Sequence, residues 1–235
     1  LRRLNKVNGL SDVLISDIAF SKEENTLVIA YKNCNLDLIR DGEIINIPDI
    51  KRKQILGDKT INKIYIKDGL AYLSCGFGIV VVDIDREEIK STWLIGDNGS
   101  QLKVNDLVYH EADNFFYAAT ADGIRKADAG SNTAFFGNWT KCSPPTAFDE
   151  HFQHVESFNG KIYAVYSYPT FQYATDTMYA LDNNNWQYFL PNFHDKVFGL
   201  NVSNNTLLVS SNFSAAFIKP KFPSLIRSGR LKPWF

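Results

Sequence analysis

Four tryptophans at nearly constant spacing constrain the fold of this chain more than any other sequence feature. Separations of 46, 47 and 48 residues lie between the only tryptophans, Trp93, Trp139, Trp186 and Trp234. Five short apolar runs recur with a similar period. Their central residues, separated by 46, 43, 48 and 43 positions, are Ile18, Ile64, Leu107, Val155 and Phe198. Such a period indicates one supersecondary unit repeated along the chain.

Each repeat has the pattern of four short strands. A polar turn separates the first two apolar runs, and Asp68-Gly69 and Asn159-Gly160 are strong hairpin signals at this point. A second tight turn follows, as at Gly76–Gly78, and the fourth run ends at the tryptophan. Four strands in 43 to 48 residues are typical of a β-propeller blade. We expect each bulky indole to lie between neighbouring blades.

The sequence therefore predicts an all-β chain, a β-propeller of four-stranded blades. It holds about five blades, as a single propeller domain or as part of a larger propeller. The predicted blade cores lie near residues 17–50, 61–96, 104–140, 152–190 and 196–235. Residues 1–7 are predicted to form the outer strand of a preceding or closing blade, and no helix longer than a turn is expected.

Composition excludes several classes of protein. Twenty-five Lys and Arg balance 26 Asp and Glu, which argues against a nucleic-acid partner. No apolar run approaches the roughly 20 residues that span a bilayer, so no transmembrane segment is predicted. The chain starts at Leu1 and its only methionine is Met178, so we interpret it as a processed or excised piece. Three distant cysteines without a CxxC motif favour free thiols over a disulfide framework or a zinc site.

The sequence supplies no recognisable catalytic or cofactor motif. It lacks a phosphate-binding GxxxxGK[ST], a dinucleotide GxGxxG and a nucleophile-elbow GxSxG. His151 and His154 are three positions apart, so on a regular strand they point to opposite faces, and no metal site is predicted. We therefore expect no cofactor and no enzymatic activity. A pair of catalytic carboxylates converging from distant blades stays open as an alternative.

Two long loops are the candidate binding regions. The loop over residues 48–60 carries Lys51, Arg52 and Lys53, and the loop over residues 167–177 carries Tyr168, Phe171 and Tyr173. By propeller geometry both loops are expected on one face, where extra loop length often marks a binding surface. Basic groups suit phosphate or carboxylate, and aromatic rings suit sugars or a protein partner. A solvated charge run and a self-packed loop are the structural alternatives.

Residues 5–128 also resemble a known family. The segments that carry the resemblance are residues 6–12, 46–51, 57–62, 71–81 and 103–106. They are similar to the PorZ-type N-terminal propellers of the Bacteroidetes type IX secretion system. More broadly, residues 8–12 and 15–20 resemble the start of a blade in two-component-regulator propellers. Residues 129–235 match only as generic blades.

The resemblance implies a non-catalytic, extracytoplasmic binding or scaffold module, in the periplasm or at the outer cell surface. Anionic lipopolysaccharide, another glycan or secretion-system attachment proteins are the implied partners. The 235 residues do not include the second propeller and C-terminal β-sandwich of that family. The alternatives are a periplasmic propeller that senses glycan fragments for a hybrid two-component system, and a lyase or hydrolase that uses the central channel.

Overall fold

Antiparallel hairpins make up most of the described chain. The structure, a computed structural model, describes residues 4–145, 151–167, 176–189, 196–212, 214–220 and 222–228. Over these residues it contains five four-stranded sheets in which chain neighbours pair as antiparallel hairpins. The predicted all-β propeller of four-stranded blades is confirmed.

The five sheets follow one another along the chain. The first contains β1 (Ile15–Ser21), β2 (Thr26–Tyr31), β3 (Leu36–Arg40) and β4 (Glu43–Ile47). The second contains β5 (Ile61–Lys67), β6 (Leu70–Cys75), β7 (Gly78–Asp83) and β8 (Glu88–Trp93). The third contains β9 (Val104–His110), β10 (Phe115–Thr120), β11 (Gly123–Asp128) and β12 (Thr140–Lys141). The fourth contains β13 (Phe152–Phe158), β14 (Lys161–Tyr166), β15 (Thr177–Asp182) and β16 (Asn185–Phe189). The fifth contains β17 (Val197–Ser203), β18 (Thr206–Ser211), β19 (Ala215–Lys219) and β20 (Phe222–Ser228).

The predicted turns form because their residues tolerate left-handed backbone conformations. Asp68 and Gly69 have φ angles of 50° and 70°, and Asn159 and Gly160 have φ angles of 51° and 70°. Two consecutive positive φ angles are typical of the type I′ turn, whose twist matches that of the flanking strands. Each pair therefore closes a two-residue hairpin, between β5 and β6 and between β13 and β14.

The tryptophans occupy related but unequal positions. Trp93 ends β8 as predicted, whereas Trp139 directly precedes β12 and Trp186 is the second residue of β16, so that part of the prediction is wrong. Trp93 and Trp139 are both buried and their rings lie 6.2 Å apart. The indole N–H of Trp186 donates to the carbonyl oxygen of Cys142, just after β12. Indoles of one blade thus contact a neighbouring blade, and Trp234 lies outside the described residues.

Two compact units divide the chain. The first unit contains residues 1–107 and 131–139, and its core fills the space between the first two sheets. Val28 and Leu38 from the first sheet and Leu73 and Val82 from the second are fully buried there. The second unit contains residues 108–130 and 140–235, and its core joins the fourth and fifth sheets. Apolar burial of this kind stabilises each pair of blades.

The second face of the first sheet is partly accessible. Ile29 and Tyr31 are buried on it together with Leu10. Ile18 and Phe20 of β1 are 57% and 54% exposed. Large apolar side chains of the first blade are therefore open to solvent on this side.

The beginning of the described chain differs from the prediction. No strand forms over residues 4–7, so the predicted outer strand is wrong there, and residues 1–3 lie outside the described part. A 3₁₀ turn occupies Lys6–Asn8 instead. The side-chain oxygen of Asn5 accepts from the backbone N–H groups of Val7 at 2.9 Å and Asn8 at 3.2 Å. This local capping satisfies donors that an edge strand would need to pair elsewhere.

Helix is a minor component. In the described ranges the only α-helical residues form one turn, α1 (Asp49–Arg52), between the first two sheets. None of the helices in these ranges has the length and apolar character needed to cross a membrane.

Candidate functional site

The loop over residues 48–60 has a rigid core. Its helix α1 starts after Pro48, and Ile50, which is 2% exposed, anchors the turn in the core of the first unit. The ammonium group of Lys59 donates to the carbonyl oxygens of Ile50, Lys51 and Lys53 at 3.2, 3.0 and 3.0 Å. A cation at the carboxyl end of a helical turn satisfies carbonyls that lack intrahelical partners. Lys59 thus fixes the loop internally.

Lys51 also forms an internal contact, an ion pair with Asp12. Its ammonium nitrogen lies 2.6 Å from a carboxylate oxygen of Asp12, which is only 7% exposed. The side-chain amide of Asn33 donates to the same oxygen, and Lys6 lies 3.7 Å from the other. The hydrogen bonds from Lys51 and then Asn33 hold the pKa of the Asp12 carboxyl well below its usual range. Asp12 is therefore a charged anchor between the segment before β1 and α1.

A second buried carboxylate lies within the first sheet. Asp37 is fully buried and accepts from the backbone N–H of Ser11 at 2.8 Å, the Tyr31 hydroxyl at 2.6 Å and the Asn46 amide at 3.0 Å. Burial, followed by the hydrogen bond to Asp37, strongly raises the pKa of Tyr31. These bonds satisfy a buried charge and attach the segment before β1 to the sheet.

Arg52 and Lys53 differ from their neighbours. Both are exposed, and within the described part of the chain neither side chain has a hydrogen bond or an ion pair. Both line a cavity of about 460 Å³ in the first unit. Its other side chains come from the loop and the second sheet: Asp49, Ile50, Ile55, Phe77, Val80, Ile89 and Thr92. Of the three predicted basic residues, Lys51 forms an internal ion pair, whereas Arg52 and Lys53 lie at the rim of the cavity.

The chemistry of this cavity combines charge with an apolar floor. Phe77 and Val80 are almost fully buried beneath it, whereas Arg52 and Lys53 stand at the solvent side. Asp49 also lines the cavity, so the formal charge of its lining is positive by one. Such an arrangement suits an anionic group attached to an apolar body.

The aromatic half of the predicted site belongs to the loop over residues 167–177. Tyr168, Phe171 and Tyr173 lie outside the described residues, and the expectation that both loops share one face stays a prediction. The described residues on either side of that segment are Ser167 and Asp176. The Ser167 hydroxyl donates to the Asp176 carboxylate, and both residues are buried.

A second cavity of about 460 Å³ lies in the second unit. His151 and His154 both line it, so the expectation that they face opposite ways is wrong. The physical reason is a register shift between Phe152 and His154, which interrupts the alternation of β13. Among the described residues, no group of three or more His, Cys, Asp or Glu side chains is arranged to hold a metal ion.

The sequence did not predict which residues pair with the cations of the loop over residues 48–60. Asp12 belongs to the segment that carries the family resemblance, yet nothing in its spacing indicates an ion pair with Lys51, 39 positions away. The sequence does contain a weak indication of the cavity floor. Phe77 stands between two glycines in a hairpin turn, where a polar residue is usual.

Comparisons with known proteins agree with this architecture. The family model described as "TSS9, PorZ, N-terminal beta-propeller domain" matches residues 1–140. Among solved structures, PorZ, an essential bacterial surface component of the type IX secretion system of Porphyromonas gingivalis, superposes with a TM-score of 0.75 at 20% identity over 95% of this chain. The extracellular domain of a protein described as a hybrid two-component system of B. thetaiotaomicron gives a TM-score of 0.67 at 14% identity over 95% of the chain.

A third structure is the extracellular domain of a protein described as a one-component system of B. thetaiotaomicron. It gives a TM-score of 0.64 at 11% identity over 94% of this chain. The chain spans only 28%, 31% and 29% of the lengths of these three structures. The sequence has no significant match among curated proteins.

Proposed function

The chain belongs to the family of PorZ N-terminal β-propeller domains, and we propose that it is a non-catalytic, extracytoplasmic binding or scaffold module of the type IX secretion and cell-surface attachment machinery. The family match and the propeller fold support this role. Its location, in the periplasm or at the outer surface, is part of the proposal. The relative from P. gingivalis is itself a bacterial surface component.

The observation that carries the binding role is the cavity beside Arg52 and Lys53. Two cations without an internal partner in the described part of the chain stand over an apolar floor. We propose that this cavity binds an anionic amphiphile, with anionic lipopolysaccharide as the ligand. Each exposed contact contributes about 1 kcal/mol or less, so two cations together increase the affinity by at most about 30-fold. Apolar burial against Phe77 and Ile89 adds to this.

Binding to purified, surface-immobilised anionic lipopolysaccharide tests the proposal. We expect Arg52→Glu combined with Lys53→Glu to weaken binding at least tenfold, and added salt to weaken wild-type binding. The matched control is Lys22→Glu combined with Lys219→Glu, which reverses two exposed lysines that do not line the cavity. If the cavity double variant binds as tightly as wild type, or lipopolysaccharide without anionic groups binds equally well, the assignment is wrong.

The absence of catalysis is a separate part of the proposal. The sequence offers no motif for a nucleophile or a phosphate-binding loop. We expect no saturable turnover of ester, peptide, phosphate or glycoside substrates. Turnover that a single carboxylate substitution abolishes would contradict this expectation.

A sensing role is the second candidate. The structural likeness to extracellular domains of two-component and one-component systems favours it. The two roles predict different neighbouring domains in the full-length protein. A second propeller and a β-sandwich would support secretion, whereas a membrane-spanning segment followed by a kinase would support sensing.

A further inference from the structure

The cavity in the second unit has the features of a second binding site. It lies between the starts of β13 and β17, outside the residues that match the family model. Its polar lining includes His151, Gln153, His154 and Lys196. It shares no lining residue with the Arg52–Lys53 cavity and is independent of the function proposed for that cavity.

Two β-bulges shape this cavity. The register of β13 shifts between Phe152 and His154, and that of β17 shifts between Val197 and Gly199. The additional residues at these two shifts, Gln153 and Phe198, both line the cavity. A bulge redirects side chains that regular alternation would send to the other face of the sheet. In this way the first strands of the fourth and fifth sheets direct an amide and a ring to one place.

The wall of the cavity is held by a buried carboxylate. Asp176 is 2% exposed, and its two oxygens accept from the Ser167 hydroxyl and from the Val197 backbone N–H, the latter at 2.7 Å. Backbone hydrogen bonds also join Ser167 to His151 at 3.1 Å and Asn212 to Lys196 at 3.2 Å. Both bulged strands are thereby fixed before any ligand arrives, which lowers the entropic cost of binding.

The side chains at this cavity combine one fixed positive charge, hydrogen-bonding groups and an accessible ring. Lys196 has no ion pair in the described part of the chain, and Phe198 is 66% exposed. The Gln153 amide nitrogen lies 3.1 Å from His151 Nδ1, and the side-chain oxygen of Gln153 supplies a hydrogen-bond acceptor at the cavity. A single ammonium group matches a monoanion, and an exposed ring packs against the C–H face of a sugar.

We propose that this cavity binds one carboxylated sugar ring, a hexuronic acid residue. Its carboxylate pairs with Lys196, one of its hydroxyls donates to the side-chain oxygen of Gln153, and its apolar face packs on Phe198. Among the described residues that line the cavity, Lys196 is the one fixed cation. A dianionic phosphate would be desolvated with one charge unpaired there, so we expect the monoanionic carboxylate to bind more tightly.

Titration of the full chain with D-glucuronate tests this site, with glucose and glucose 6-phosphate as neutral and phosphate comparisons. We expect glucuronate to bind at least tenfold more tightly than either comparison. Lys196→Gln and Phe198→Ser should each weaken glucuronate binding at least tenfold, whereas Lys219→Gln, which alters an exposed lysine of β19, should leave it unchanged. Saturation-transfer NMR should show transfer from aromatic protons to the sugar ring in wild type and its loss in Phe198→Ser.

The outcomes separate this site from the first one. Glucuronate binding should persist in the Arg52→Glu, Lys53→Glu variant, and lipopolysaccharide binding should persist in Lys196→Gln. No detectable glucuronate binding to wild type, equal binding of glucose, or preference for glucose 6-phosphate would overturn the proposal. So would unchanged affinity in Lys196→Gln and Phe198→Ser, both of which change accessible side chains and should fold normally.

Discussion

The four cations of the loop over residues 48–60 have two different roles, two of them structural and two at the cavity. Lys51 and Lys59 are turned into the structure, one against the Asp12 carboxylate and the other against three backbone carbonyls. Arg52 and Lys53 lie between them in sequence, are exposed, and line a cavity. Lys51 and Arg52 are consecutive residues of α1. Consecutive residues on a helix point in directions about 100° apart, so neighbours in the sequence face different surroundings.

This comparison shows that a cluster of positive charge in a sequence is not by itself a binding site. Half of the cations in this loop stabilise the loop that presents the other half. A charge reversal across the whole cluster would therefore mix a loss of stability with a loss of binding. Single substitutions separate the loss of stability from the loss of binding.

The largest expected effect is on stability at the Asp12 anchor. Asp12→Ala should lower the free energy of unfolding by about 2–3 kcal/mol, because it removes hydrogen bonds to a buried charge. Urea unfolding followed by tryptophan fluorescence measures this change. Glu23→Ala alters an exposed turn carboxylate and should change stability by less than about 0.5 kcal/mol. If Asp12→Ala and Glu23→Ala lowered the free energy of unfolding equally, Asp12 would not be a structural anchor.

Low pH should reduce the contribution of Asp12 to the free energy of unfolding. Because the pKa of Asp12 is lowered in the folded chain, its charged form stabilises the fold at pH values above the pKa of an unfolded aspartate, about 4. That contribution is lost as the pH falls below this value. The stability difference between wild type and Asp12→Asn should therefore shrink as the pH falls from about 5 towards 2. A constant difference across this range would show that the Asp12 charge does not contribute.

A smaller effect is expected at Lys59. Lys59→Met keeps most of the aliphatic side chain but removes the donors to the carbonyls of α1, which should cost about 1 kcal/mol. Lys59 does not line the cavity, so any loss of lipopolysaccharide affinity should be indirect and smaller than the loss caused by Arg52→Glu combined with Lys53→Glu. Hydrogen exchange of the backbone N–H groups of Arg52 and Lys53, which donate to Pro48 and Asp49, provides the local measurement. Unchanged exchange rates in Lys59→Met would argue against a clamping role for this lysine.

The smallest effect on stability is expected at the cavity rim. Arg52→Ala should change the free energy of unfolding by less than about 0.5 kcal/mol, because the guanidinium has no partner in the described part of the chain. Its lipopolysaccharide affinity should nevertheless fall several-fold. A stability loss as large as that of Asp12→Ala would place Arg52 among the structural cations.

The sequence was sufficient to predict the blades but not the division of the basic loop. The period of the tryptophans and the Asp-Gly and Asn-Gly turns depends on local geometry, which a single chain segment determines. The Lys51–Asp12 pair and the cavity floor depend on residues far apart in the chain, which meet only when the sheets pack. Likewise, regular alternation placed His151 and His154 on opposite faces, and a bulge that the sequence did not reveal brought them to one cavity.

The most direct test of this account compares Lys51→Gln with Lys53→Gln, two identical changes two positions apart. We predict that Lys51→Gln lowers the free energy of unfolding by about 1 kcal/mol, since its ammonium pairs with a buried carboxylate but is partly exposed. Its affinity for anionic lipopolysaccharide should change little at temperatures where it is folded. Lys53→Gln should keep wild-type stability and lose several-fold in affinity. The opposite assignment of the two effects, or equal effects in both variants, would contradict the account.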